Sequence, residues 1–308
     1  MNYPKIRLSN GQIEADVFLP DAENGYYRDS RFDWSGMIDQ IRMGDHTFLC
    51  SSEVTHDKNF RASGTAEELC MGILGTPGPL GYDEAKIGGI FIKPGVGVLE
   101  KQSDEDYQFE KPYCILQPGA WKVERGTDWV EFIQTIDNVN GWGYCYKKRI
   151  SLPADKLGVV IARTFENIGE KAIDTTHYCH NFMLLDDEPI GPDYEIRLPF
   201  APAIGDEELF GRVATAENNI VFSEQIPGND GFAWGSFTGF NPDDNYSFGV
   251  VNKKTGTGLH IEGDTPMMRF HLYCQQLMIC PEPFVRVKAA PGETFAWQTK
   301  YLMLNLNS

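Results

Sequence analysis

The stretch TTHYCHNFMLLDD, Thr175 to Asp187, decides how this chain is read. Two of the six histidines lie in it, three residues apart, among threonines, aromatics and aliphatic residues. Short runs of β-branched and aromatic residues favour a strand. In a strand, successive side chains point to opposite faces. Tyr178, His180, Phe182 and Leu184 then share one face; His177, Cys179, Asn181 and Met183 share the other. His177 and His180 therefore point apart and cannot close on one metal ion. No HExxH pattern and no Cys/His cluster occurs elsewhere, so no metal site is expected.

The surroundings repeat this pattern. Alternating or β-branched runs such as DWVEFIQTID, CYKKRISL, GVVIARTFEN, YSFGVVN, MMRFHLYCQQLMIC and ETFAWQTKYLML are separated by turn clusters such as NVNGWG, ENIGEK, NPDDN and APGE. Regular strands with turn signals predict an all-β sandwich or barrel. The best helix candidate is TAEELCMGILG, Thr65 to Gly75, with Gly75 as its stop. No repeat or linker divides the 308 residues, so one antiparallel β domain over 1–308 is expected. An apolar fraction of 42% supplies a core of that size without disulfides.

The seven cysteines are odd in number, form no CxxC pair and sit mostly among apolar neighbours, as in PYCIL and LMICP. They read as reduced core residues of a cytoplasmic protein. The first residues carry no basic stretch followed by an apolar one, and no window is long and apolar enough to span a bilayer. A formal charge of −17 makes nucleic acid and anionic membranes poor partners and favours a neutral small ligand. Oligomeric state is not readable.

Three places carry chemistry. His180, on an aromatic face, is either a core histidine bonded to a carbonyl or a general acid at the floor of a sugar cleft. Glu282 stands between two prolines in ICPEPF; proline cannot donate to a ladder, which suggests an edge, a bulge or a strand end. The segment GYYRDSRFDWSGMI, Gly25 to Ile38, alternates aromatics with Arg28, Arg31 and Asp33. It reads either as an amphipathic strand with an Arg31–Asp33 pair or as a sugar-binding surface, with Trp34 as a platform and the arginines as forked donors. Lys93, in FIKPGVGVLEK, reads as a solvated strand residue, and that segment lacks the pattern of a phosphate loop. Asn167 reads as a turn former, Asn181 as a strand-end hydrogen bonder and Glu293 as a turn residue.

FENIGEKAIDTTHYCHNF resembles the central stretch of the aldose 1-epimerase, or galactose mutarotase-like, superfamily. There a strand ends in an Asn-containing turn and the next strand delivers a histidine before an aromatic. ICPEPFVRVKAAPGETFAW resembles the C-terminal region of that superfamily, where a catalytic glutamate precedes a strand and a Pro-Gly-Glu turn. The Asn-Arg-Ile segment and a further histidine usual in the superfamily are missing. The resemblance implies a β-supersandwich and interconversion of the anomers of a free sugar, without metal or organic cofactor. It implies His180 as acid and Glu282 as base, with Arg31, Arg28, Asp33, Trp34 and His177 as sugar contacts. The alternatives are a carbohydrate-binding or regulatory protein on the same fold, or another sugar-modifying enzyme such as a lyase.

Overall fold

The computed structural model describes residues 3–52, 59, 61–209, 211–228 and 232–306, and of 206–208 the backbone alone. The strands are β1 (Lys5–Ser9), β2 (Glu14–Phe18), β3 (Ile38–Met43), β4 (His46–Thr47), β5 (Thr65–Leu69), β6 (Ile90–Lys93), β7 (Gly97–Glu100), β8 (Ile115–Pro118), β9 (Trp121–Arg125), β10 (Trp129–Val139) and β11 (Trp142–Ser151). They continue as β12 (Gly158–Asn167), β13 (Ile173–Asn181), β14 (Tyr194–Arg197), β15 (Ala203–Glu208), β16 (Val213–Ala216), β17 (Asn219–Phe222), β18 (Phe232–Thr238), β19 (Asn245–Asn252), β20 (Thr257–Gln275), β21 (Met278–Ala289) and β22 (Thr294–Asn305). Among the described residues the only named helical element is a 3₁₀ turn at Leu185–Asp187, so no helix is long and apolar enough to cross a membrane.

The architecture turns on β20, which runs for 19 residues. Its first half pairs with β19 and β22 inside a long antiparallel sheet, β16-β17-β14-β19-β20-β22-β12-β11-β10-β9. Its second half, past a register shift between Met267 and Arg269, pairs with β18 and β21 in a second sheet, β15-β18-β20-β21-β13-β5. A bulge bends and twists a strand, and here it carries β20 from one layer of the sandwich to the other. The sheets β1-β2-β3-β4 and β6-β7-β8 flank this pair.

Between the two layers lies an apolar core with a buried ionic centre. Arg163 from β12 donates from Nε and Nη2 to both oxygens of Glu67 on β5, at 2.7 Å each. Lys148 from β11 lies 3.3 Å from Glu67 and 2.7 Å from Asp33. Two cations thus face two carboxylates, all buried. Burial alone would push Glu67 up, but Arg163 and Lys148 hold it well below the usual carboxylate range.

Two expectations fail here. Thr65 to Gly75 is not a helix: Thr65–Leu69 is a buried strand paired with β13, and Cys70 and Leu74 take positive φ. Helix propensity is a weak prior. Alternation sends Glu67 into the sandwich and Glu68 to the other face, each to its own buried cations, an arrangement a helical turn would not give. The segment from Gly25 to Trp34 is not a strand either. The Tyr27 hydroxyl accepts the N–H groups of Arg31 and Phe32, and Trp34 Nε1 donates to Asp29 O, so local side-chain bonds replace a ladder. Gly64, with φ of 47°, leads into β5 where a Cβ would overlap the Ile38 carbonyl, so glycine is required there.

Candidate active site

The second sheet presents one face to the sandwich interior and the other to a cleft of about 470 Å³. Alternate residues of four neighbouring strands line it: Phe232 and Trp234 of β18, Arg269, His271, Tyr273 and Gln275 of β20, Glu282 and Phe284 of β21, and Tyr178 and His180 of β13. Phe32, Met71, Ile73 and Phe109, from loops, add apolar wall.

Pro281, Glu282 and Pro283 lie inside β21, at neither its end nor an edge. β21 pairs with β13 through Tyr178↔Phe284 and meets the chain again at Met183↔Ile279. In between, β13 stays paired with β5 on its other edge but not with β21. The carbonyl of Pro281 faces this gap and accepts Asn181 Nδ2 at 2.7 Å. In a strand the N–H and C=O of one residue point the same way, so the donors that both prolines lack fall where no ladder exists. Asn181 thus acts as the strand-end hydrogen bonder that was expected, and its Oδ1 accepts from Tyr301.

Continuing the β13–β21 register beyond Tyr178↔Phe284 sets His180 opposite Glu282, and β20 sets His271 opposite it on the other side. His180 Nε2 lies 3.2 Å from Glu282 Oε1. The imidazole stacks on Phe182, with ring centres 4.1 Å apart, and Phe32 meets it edge-on. His180 Nδ1 is buried with no well-formed hydrogen bond, although its own backbone carbonyl lies close enough to favour the protonated ring. Burial pushes Glu282 up to about 8, with Arg31 and Arg269 pulling against it. Burial holds His180 well below 6.5, reinforced by Arg31 and His271. Both trends favour a neutral pair sharing one proton.

Behind the pair lies a second buried cluster. Glu68, opposite Tyr178 in the β5–β13 ladder, accepts Arg31 Nε at 3.0 Å, Lys93 Nζ at 2.9 Å and the Tyr178 hydroxyl at 2.9 Å. Arg31 also donates to that hydroxyl and sits over the Phe32 and Phe109 rings. Lys93 is therefore fully buried rather than solvated.

Of the expected sugar contacts, Arg31 alone lines the cleft. Arg28 is exposed and bonded to Glu23 O. Asp33 belongs to the ionic centre, paired with Lys148 and not with Arg31. Trp34 is buried against its own loop. His177 faces the sandwich interior, between Glu67 at 2.9 Å and Trp297 Nε1 at 3.2 Å, so the two histidines do point apart. Asn167 caps its turn by accepting Gly169 N–H, and Glu293 closes the APGE turn onto Ala290 N. The sequence reading missed Arg269, His271, Tyr273 and Gln275. Their signal was the polar alternation in MMRFHLYCQQ, a row of hydrogen-bonding side chains on one face of an otherwise apolar strand.

No family model and no curated protein matches the sequence. Solved structures do match along nearly its whole length. A Synechocystis protein is 9% identical with a TM-score of 0.58, covering 99% of this chain and 97% of its own. A galactose mutarotase related enzyme from Lactobacillus acidophilus is 10% identical with a TM-score of 0.57, covering 98% of each chain. A galactose 1-epimerase from the same organism is 10% identical with a TM-score of 0.51, covering 97% of this chain and 94% of its own. The two-layer sandwich hinged on β20, with its cleft on one sheet, is a divergent example of the galactose mutarotase-like fold.

Proposed function

We propose that the protein is an aldose 1-epimerase, with Glu282 and His180 as its acid–base pair. The observation that carries this reading is their contact at 3.2 Å on the floor of an aromatic-walled cleft of monosaccharide size. The titles of similarly folded proteins, a galactose 1-epimerase among them, support it.

The reaction moves two protons. The Glu282 carboxylate takes the proton of the anomeric hydroxyl as protonated His180 gives one to the ring oxygen. The C1–O5 bond breaks and an aldehyde forms. Rotation about C1–C2 exposes the other carbonyl face. Closure re-forms C1–O5, returns the Glu282 proton to O1 and returns the ring-oxygen proton to His180. The pair needs one shared proton, which its opposed environments provide. Burial favours the tautomer with that proton on Glu282, whereas Arg31 and Arg269 favour the carboxylate needed to start. The sugar replaces the direct His180–Glu282 contact with contacts to O1 and O5.

The test is anomer exchange in free aldoses, followed by polarimetry or NMR magnetisation transfer above the spontaneous rate. Glu282→Gln and His180→Asn should each lower kcat by about 10²-fold or more. The double variant should lose far less than the product of the two, because the groups work as a unit. Wild-type rates in Glu282→Gln would refute the assignment and favour a binding protein.

A further inference from the structure

A second arginine, Arg269, lines the cleft. Arg269 is half-buried in its wall, and no carboxylate lies within ion-pair distance of it among the described residues. It is nevertheless fixed: Nε and Nη2 donate to Ser236 Oγ at 2.9 and 2.6 Å, and Nη2 lies 3.4 Å from His271 Nδ1. Among the described residues no hydrogen bond uses Nη1, and the guanidinium lies 5.9 Å from the centre of the Phe284 ring. A guanidinium held on one edge and free on the other is the usual arrangement for gripping an anion.

Two more cations lie close by. Beneath the cleft, Arg31 and Lys93 share the carboxylate of Glu68, all three buried. Among the described residues, the carboxylates that line the cleft are Glu282, which burial pushes towards its neutral form, and Glu110, which is exposed at the rim. A chain of net charge −17 thus sets Arg31 and Arg269 into one cavity wall, with Lys93 behind them. These cations oppose the neutral ligand expected from total charge, and low-dielectric walls strengthen their pull on an anion.

Position matters as much as sign. Arg269 and His271 are two residues apart on β20, on the same face, and His271 is opposite Glu282. That step is about 7 Å along a strand. One sugar ring with its exocyclic carbon bridges this distance, so a ring reacting at Glu282 can set a substituent on Arg269.

Building on the epimerase reading, we propose that the substrate is a monosaccharide with an acidic exocyclic substituent, a carboxylate or a phosphate, bound by Arg269. Neutral aldoses lack this contact and are poorer substrates.

The test compares anomer exchange of glucuronate, glucose 6-phosphate and glucose by NMR magnetisation transfer, in parallel with calorimetric binding to the Glu282→Gln variant. At least one acidic sugar should exceed glucose in kcat/KM by about 10–100-fold, the range of one charge-assisted contact. Comparison of the two acidic sugars tells carboxylate from phosphate. Arg269→Gln should collapse that preference and Arg269→Lys should keep part of it, with unfolding midpoints confirming that both variants fold. Equal handling of all three sugars, or a preference unchanged in Arg269→Gln, would overturn the proposal while leaving the epimerase reading intact. Arg269-dependent binding of an acidic sugar without anomer exchange in the wild type would sustain this site and overturn the epimerase reading. If no sugar binds or exchanges, both fall.

Discussion

Replacing Glu282 by glutamine should lower kcat by about 10²-fold or more and, at alkaline pH, make the protein more stable. Burial raises this carboxyl from 4.5 to about 8. The folded state therefore holds the proton more tightly than the unfolded chain does. A group of this kind adds its full stability below pH 4.5 and loses it as pH rises towards 8. At 1.36 kcal/mol per pH unit, the loss from pH 4 to pH 9 is roughly 5 kcal/mol, an upper figure because the cleft admits water. Glutamine stays neutral and loses nothing. His177, which burial lowers to about 4, gives an opposite slope between pH 6.5 and 4, but it is present in both proteins and cancels in their difference. Urea unfolding of both proteins at pH 5 and pH 9 measures the effect. The variant should be similar to wild type at pH 5 and more stable by several kcal/mol at pH 9. A stability difference that does not change with pH would show that Glu282 is ionised in the folded protein at ordinary pH. The buried-pair account of the site would then be wrong.

Further predictions follow from the same geometry. The pH–rate profile should be a bell whose alkaline limb falls near pH 8, as the pair loses its one proton, and whose acid limb lies well below 6.5, where it gains a second. A rate still rising above pH 9 would refute this order. Arg31→Ala should raise KM and move the alkaline limb of the rate profile upward, since Arg31 lines the cleft and lowers Glu282; steady-state kinetics across pH decide it. Glu68→Gln should destabilise the fold by about 3–5 kcal/mol, because it leaves Arg31 and Lys93 buried without a carboxylate. Chemical denaturation near neutral pH checks this, and a loss under 1 kcal/mol would mean that water reaches the cluster.

What the sequence allowed and what it hid divide along the range of the interactions. Strand alternation is local, so TTHYCHNF was enough to separate His177 from His180 and to put His180 on an aromatic face. The alternation of MMRFHLYCQQ was equally visible, but nothing local says which face of a strand meets a cleft. Lys93, Glu67 and Glu68 were misread for the complementary reason. Charged residues are rarely buried unless paired, and their partners, Lys148, Arg163 and Arg31, lie far away along the chain. Asp33 went to Lys148 and not to Arg31, its near neighbour in sequence, because the loop sends the two side chains to different sides of β5. That division has a chemical consequence. Towards the sandwich, two cations balance two carboxylates and the charge is spent on structure. Towards the cleft, Arg31 and Arg269 act on Glu282 and on whatever the cleft binds. A glutamate raised by burial and partly lowered by those arginines is poised near neutral pH, where a general acid–base group works best.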